Sequence, residues 1–168
     1  FCKDVISDKG YFFHKYLPDK SLGSSWHPWL KFDKLQLPIQ EDETALILDA
    51  LWKKYSKYGD KSLLKEHYKE FIKKAGDFLV SFRDEKTKLP KESYDIWEEK
   101  LGVHTFTCCT IYAGLMAAYN FAESYKKKKE AKMYLKAAKE VKHGILKYLY
   151  DPEKEMFIKG IYQDKEGN

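Results

Sequence analysis

The run Tyr94-Asp95-Ile96-Trp97-Glu98-Glu99 places three carboxylates around a single indole. Cleaving a glycosidic bond calls for one carboxylic acid to protonate the departing oxygen and a carboxylate on the opposite face of the sugar. The acid has to hold its proton near the working pH, and burial against an aromatic ring or nearby carboxylates promote that. Trp97 offers an apolar wall for such an acid and a flat face for a sugar. Judged by spacing alone, the commoner reading is plainer: adjacent glutamates ahead of a helix are solvated and favoured by its dipole.

A second set lies upstream, where Trp26, Trp29, Gln40, Glu41 and Asp42 combine flat aromatics with groups able to form paired hydrogen bonds. That mixture suits carbohydrate. Taken singly, Asp42 equally fits the N-cap of a helix, and the tryptophans equally fit a core. Neither set has metal-ligand spacing: the five histidines are isolated. Cys2, Cys108 and Cys109 make no disulfide framework, being odd in number with two adjacent. The sequence therefore calls for no metal or other cofactor, and the cysteines suggest a reducing compartment, hence a cytoplasmic location.

The elements that must carry these residues are helical. Apolar positions Ala45, Leu48, Trp52 and Tyr55 predict a helix over 42–58, stopped by Gly59. The stripe Leu64, Tyr68, Phe71, Ala75, Phe78, Phe82 predicts an amphipathic helix over 61–83. The stretch 105–125, CCTIYAGLMAAYNFA at its centre, is apolar nearly all round and should be buried on most sides. Tyr134, Ala138, Val141, Ile145 and Leu149 predict a fourth helix over 129–150, and 156–162 reads as a short strand or hairpin. Strongly amphipathic segments thus alternate with lightly charged ones, as inner and outer helices of a layered helical barrel would. A plain four-helix bundle would make all four alike.

Between these helices lie two long irregular stretches, 11–41 and 84–104. Structureless segments of that length inside a compact domain are usually functional. Each precedes a putative inner helix, so both should deliver their residues to one end of the helices.

The 168 residues suffice for one domain with a real core, and 43% hydrophobic with 34% charged residues is a globular composition. No apolar run approaches the ~20 residues needed to span a bilayer. The net charge of +5 comes mostly from lysines scattered on polar helix faces, with Arg83 the only arginine. Phosphate and base recognition usually recruit arginine, so no nucleic-acid partner is expected. Richness in Lys, Glu and Tyr hints at a thermophilic source.

Three strings in order, GSSWHPW (23–29), LPIQEDETALIL (37–48) and SYDIWEEKLGVHTFT (93–107), resemble the bacterial and archaeal branch of glycoside hydrolase family 15, the glucoamylase type. The resemblance runs from about Gly10 to Tyr162, and YDxWEE is its most specific mark. It implies an all-α fold, a segment of an (α/α)6 barrel with about four of its twelve helices and long site-bearing loops, residues 1–168 forming part of one catalytic domain. It implies an inverting exo-acting α-glucosidase, acting on α-glucans or oligosaccharides, with trehalose and dextran as further candidates. The alternative of another class is a non-catalytic helical module that uses the aromatic loops to bind sugar or protein. Glu98 inherits the role of general acid, with Trp97 beside it. Trp26, Trp29, Gln40, Asp42, Asp95, Trp97, Glu99 and His104 form the expected substrate-binding set.

The family's Trp-x-Arg-Asp motif and its catalytic base find no match in these 168 residues, and the chain lacks an initiator Met. The expectation is a partial catalytic domain, inactive by itself, that associates with the rest of its barrel or with itself. Leu115, Met116 and Phe121 are the inner-helix residues expected to stand partly uncovered.

Overall fold

The computed structural model describes residues 1–31, 33–59 and 61–162. After a short helix α1 (Cys2–Val5) and a two-stranded hairpin of β1 (Leu30–Lys31) and β2 (Lys34–Leu35), the chain enters α2 (Glu41–Tyr58). Gly59 closes α2 in the left-handed conformation, φ 67°, and its N–H donates to the Tyr55 carbonyl at 2.8 Å. The N-cap is Gln40 rather than Asp42, which lies inside the first turn. The capping alternative for Asp42 is therefore excluded.

The expected single helix over 61–83 is interrupted. It consists of α3 (Lys61–His67), a π-helical turn over Tyr68–Lys73 and α4 (Lys74–Ser81). A wider turn rotates successive side chains less than an α-helical one. Tyr68, Phe71 and Ile72 can thus all be buried, a set broader than the simple stripe anticipates. The remaining helices are α5 (Thr105–Ser124) and α6 (Lys128–Tyr148).

Helix α5 is the core of the molecule. Leu115, Ala118, Phe121 and Ala122 are fully buried, as its all-round apolar sequence requires. It packs between α2 on one side and α6 on the other. Contacts between α2 and α5 advance in the same direction along both chains: Thr107 meets Asp42, Gly114 meets Ala45, and Phe121 meets Trp52 and Tyr55. The two helices are therefore parallel. Helices α4 and α6 are parallel by the same test, since Asp77 meets Tyr134 and Arg83, just beyond α4, meets Glu140. Helix α6 buries one stripe: Ala131, Tyr134, Ala138, Val141, Ile145.

Leu115 and Phe121 were expected to be uncovered, and they are not. Both are fully buried, Phe121 under the rings of Trp52 and Tyr55. The exposed apolar residues of α2 and α5 include Leu46 and Phe106, with Met116 half-buried.

Three short strands brace the far loop. β3 (Ser93–Tyr94) pairs antiparallel with β4 (Leu101–His104), and β4 with β7 (Gly160–Ile161). β5 (Tyr150–Asp151) forms a hairpin with β6 (Met156–Phe157). Among the described residues no helix is long and apolar enough to cross a membrane.

Helices α2 and α5 come into close contact at Gly114, where an added Cβ would stand 2.8 Å from both Cα and Cβ of Ala45. Backbone cannot yield as a flexible side chain does, so overpacking here forces the helices apart. Gly114→Val should lower stability by about 2 kcal/mol or more, read as a reduced urea midpoint. A midpoint equal to that of the unsubstituted protein would contradict this packing.

Candidate active site

Because α2 and α5 are parallel, the segments that precede them arrive at one end of the helix pair. They are joined there. The Gln40 side-chain amide donates to the Asp95 carbonyl at 2.5 Å, and the Thr107 hydroxyl donates to Asp42 Oδ1 at 3.4 Å. The segment 11–14 is tied to the same place: Phe12 N–H donates to Thr44 Oγ1 at 3.1 Å, and His14 N–H to the Pro38 carbonyl at 2.9 Å.

Asp95 builds the turn that aims Glu98. Its Oδ1 accepts the N–H groups of Glu99 at 2.8 Å and Lys100 at 3.3 Å, while its carbonyl accepts Glu98 N–H at 2.8 Å. Its Oδ2 faces Lys159 Nζ at 3.2 Å. Burial pushes the Asp95 carboxyl up, but the two amide donors and the Lys159 ammonium together outweigh it and hold the group below its ordinary value. Completing this turn puts Glu98 in the left-handed region, φ 55°, an uncommon conformation for a residue with a Cβ. Strain of this kind persists where the surroundings impose it.

Here the surroundings are the loop 23–29. His27 Nε2 lies within hydrogen-bond distance of the Glu98 carbonyl. The Glu98 side chain is turned inward, and the residue is 8% exposed. Its Oε2 accepts the backbone N–H of Trp26 at 3.2 Å and the indole N–H of Trp29 at 3.3 Å. Its Oε1 lies 3.8 Å from His14 Nε2.

The wall beside the acid is therefore Trp29, which is 4% exposed, and not Trp97. Trp97 is 72% exposed and Trp26 85%, so both present their indoles outward. Trp29 in turn stacks obliquely on Tyr94 and His14, with ring centroids 5.1 Å away in each case. Glu99 is exposed. Gln40, Asp42, Asp95 and His104 are buried, with side chains given over to protein partners; His104 Nε2 lies 3.0 Å from the Lys100 carbonyl and 3.2 Å from that of Ser93.

Two residues of the first turn of α2 add to the site. Glu41 is fully buried and neither of its carboxylate oxygens has a hydrogen-bond partner; Ser93 faces it without normal bonding geometry. Burial pushes its carboxyl up to about 8. Glu43 is pushed up to about 9, by burial first and then by the charges of Asp42 and Glu98. Asp42 is raised too, again by burial. His14 and Glu43 went unassigned in the sequence reading because an isolated histidine among aromatics, or one more acid in QEDET, carries no spacing signal. Among the described residues no group of three His, Cys, Asp or Glu is placed to hold a metal ion.

The site thus carries one inward acid with anchored oxygens, two outward indoles on the same short segments, and neighbouring acids that burial favours in their neutral form. Comparison with known proteins gives the family. The model of the family described as Glycosyl hydrolases family 15 matches residues 36–167. The chain belongs to glycosyl hydrolase family 15. A relative from Methanocaldococcus jannaschii, described as an uncharacterized glycosyl hydrolase, is 32% identical over 123 residues, 73% of this chain. Those residues are 19% of the relative's length, so the chain spans about a fifth of it. The family match takes in Gln40, Asp42, the Asp95–Glu99 turn and His104, whereas His14, Trp26 and Trp29 precede it.

The buried acids have a consequence for stability. Glu41 rises from 4.5 to about 8 on folding, so between those values the folded protein binds more protons than the unfolded chain. Stability therefore falls as pH rises through that window. At about 1.4 kcal/mol per unit, the loss attributable to Glu41 is on the order of a few kcal/mol. Glu41→Gln should flatten the decline, measured as urea midpoints at pH 5 and pH 8. Equal declines in the two proteins would show that Glu41 does not carry it.

Proposed function

We propose that the protein carrying this chain is an inverting exo-acting α-glucoside hydrolase, with Glu98 as general acid. The observation that carries the reading is the Glu98 carboxyl itself: it is buried, held by two N–H donors on Oε2, and set between two exposed indoles of its own and the adjoining loop. Glu98 protonates the glycosidic oxygen of the departing sugar as water attacks the anomeric carbon from the opposite face. Trp26 and Trp97 serve as platforms for sugar rings, whose apolar faces stack on indole. Glu99 lies at the exposed rim. Trp29, Gln40, Asp42, Asp95 and His104 act through the turn and the acid rather than by touching sugar.

The general base belongs to a part of the protein outside these residues. A base must be ionised to activate water. Glu41, Asp42 and Glu43 are all raised by burial, and Asp95 is committed to Lys159 and two amides. The architecture that accommodates such a partner is the (α/α)6 barrel, in which parallel inner helices are backed by an outer layer. Parallel α2 and α5, backed by parallel α4 and α6, support that reading and make this chain about a third of the ring. Exposed Leu46 and Phe106 then face the remaining helices.

In the full-length protein, Glu98→Gln should reduce hydrolysis of maltooligosaccharides by a factor of at least about a thousand while largely retaining sugar binding. Proton NMR of the initial product should show β-glucose. Unchanged turnover, or α-glucose as the first product, would refute the reading. Trehalose and isomaltooligosaccharides assayed in parallel identify the preferred linkage. The 168-residue chain alone should show negligible activity on all three.

A further inference from the structure

His14 is the buried group at the site for which nothing above accounts. Its side chain is 5% exposed, and neither ring nitrogen has a hydrogen-bond partner. Burying an imidazole with both nitrogens unpaired costs free energy, and native proteins seldom leave such groups without a purpose. Its place is fixed from three directions. The backbone N–H is held by the Pro38 carbonyl, the neighbouring Phe12 is bonded to Thr44 of α2, and the ring lies against Trp29. What Nε2 faces is Oε1 of Glu98, at 3.8 Å.

The two oxygens of Glu98 are thus unequally provided for. Oε2 already receives the Trp26 and Trp29 donors. Oε1 has His14 beyond hydrogen-bond reach, so it is the oxygen free to carry the proton. The other titratable groups around the acid do not supply its missing donor. Glu43 of α2 is a carboxyl whose charge would repel that of Glu98, and His27 is engaged with the Glu98 main-chain carbonyl.

We propose that His14 is a positioning residue for the acid step, donating from Nε2 to Oε1 of the Glu98 carboxylate that remains once the proton has left. This inference rests on the assignment of Glu98 as general acid. In the resting acid, Oε1 bears the proton and the imidazole stands back. As the proton passes to the glycosidic oxygen, negative charge grows on a carboxyl nearly out of contact with water. A small movement of the imidazole then brings Nε2–H onto Oε1, and the anion acquires a third donor. Catalytic hydrogen bonds are often long in the resting protein and tighten as charge develops. An interaction stronger in the transition state than in the ground state accelerates the step itself.

The decisive variants are His14→Phe, which keeps a flat ring against Trp29 without a donor, and His14→Gln, which keeps an N–H. In the full-length protein, His14→Phe should lower kcat by about a hundredfold with KM little changed. Losing a donor to the charged form weakens the acid, so the basic limb of the kcat profile should move to higher pH. His14→Gln should recover part of both effects. A profile for His14→Phe that superimposes on the unsubstituted one, or variants that differ only in thermal stability, would overturn the proposal. A readout independent of turnover is the 15N chemical shift of His14 Nε2, which faces Glu98 Oε1. Glu98→Gln should displace it, and an unaltered resonance would also overturn the proposal. Persistent turnover in Glu98→Gln alongside a displaced His14 resonance would instead reject Glu98 as the acid and leave the His14–Glu98 contact standing.

Discussion

Helices α2 and α5, with residues 59–104 between them in the chain, lie side by side in parallel, close enough at Gly114 and Ala45 that no side chain fits between them there. This contact is the constraint on which the rest depends. Parallel neighbours cannot be joined by a short turn, so the chain must travel back to the starting end before α5 can begin. It does so through α3, the π-helical turn and α4, and then through 84–104. The return path supplies the outer layer, and its last part supplies the Asp95–Glu98 turn. The convergence of two loops at one end follows from helix direction. The chemistry of those loops is a separate matter.

That chemistry is organised around scarcity of water. Glu41, Asp42, Glu43 and Glu98 crowd the first turn of α2 and the loop facing it, a concentration of acid that would repel itself if ionised in such a dry place. The structure tolerates it because burial favours the neutral form of Glu41, Asp42 and Glu43. Asp95 is treated differently, with an ammonium and two amides arranged about it. One carboxyl is thus kept charged to hold a turn in shape, close to three whose charge the fold discourages. The distinction is one of local hydrogen bonding, which the string of acids in the sequence does not display.

The helices were legible because they bury stripes of regular period, and α5 stood out because it lacks a polar face altogether. The break at Tyr68–Lys73 was not, since a π-helical turn preserves the run of apolar residues while changing which of them point inward. Membership of family 15 was legible from YDIWEE and PIQEDET, local strings that do not depend on packing. The exchange of roles between Trp29 and Trp97 was invisible for the opposite reason. Which indole adjoins the Glu98 carboxyl depends on a left-handed turn at Glu98 and on a loop 69 residues upstream. His14 belongs with that class, a single residue whose meaning comes wholly from what the fold sets opposite it.

The pairing of β4 with β7 bears on how the molecule is made. Val103 and His104 take as partners Ile161 and Gly160, and Thr105 is bonded to the carbonyls of Ile158 and Lys159. Lys159 also meets Asp95. A chain emerging from the ribosome therefore has the turn bearing Glu98 well before it has the strand that braces it, with all of α5 and α6 synthesised between the two. Until that strand arrives the turn lacks its outer support, so helix pairing should precede the final setting of the loop during synthesis.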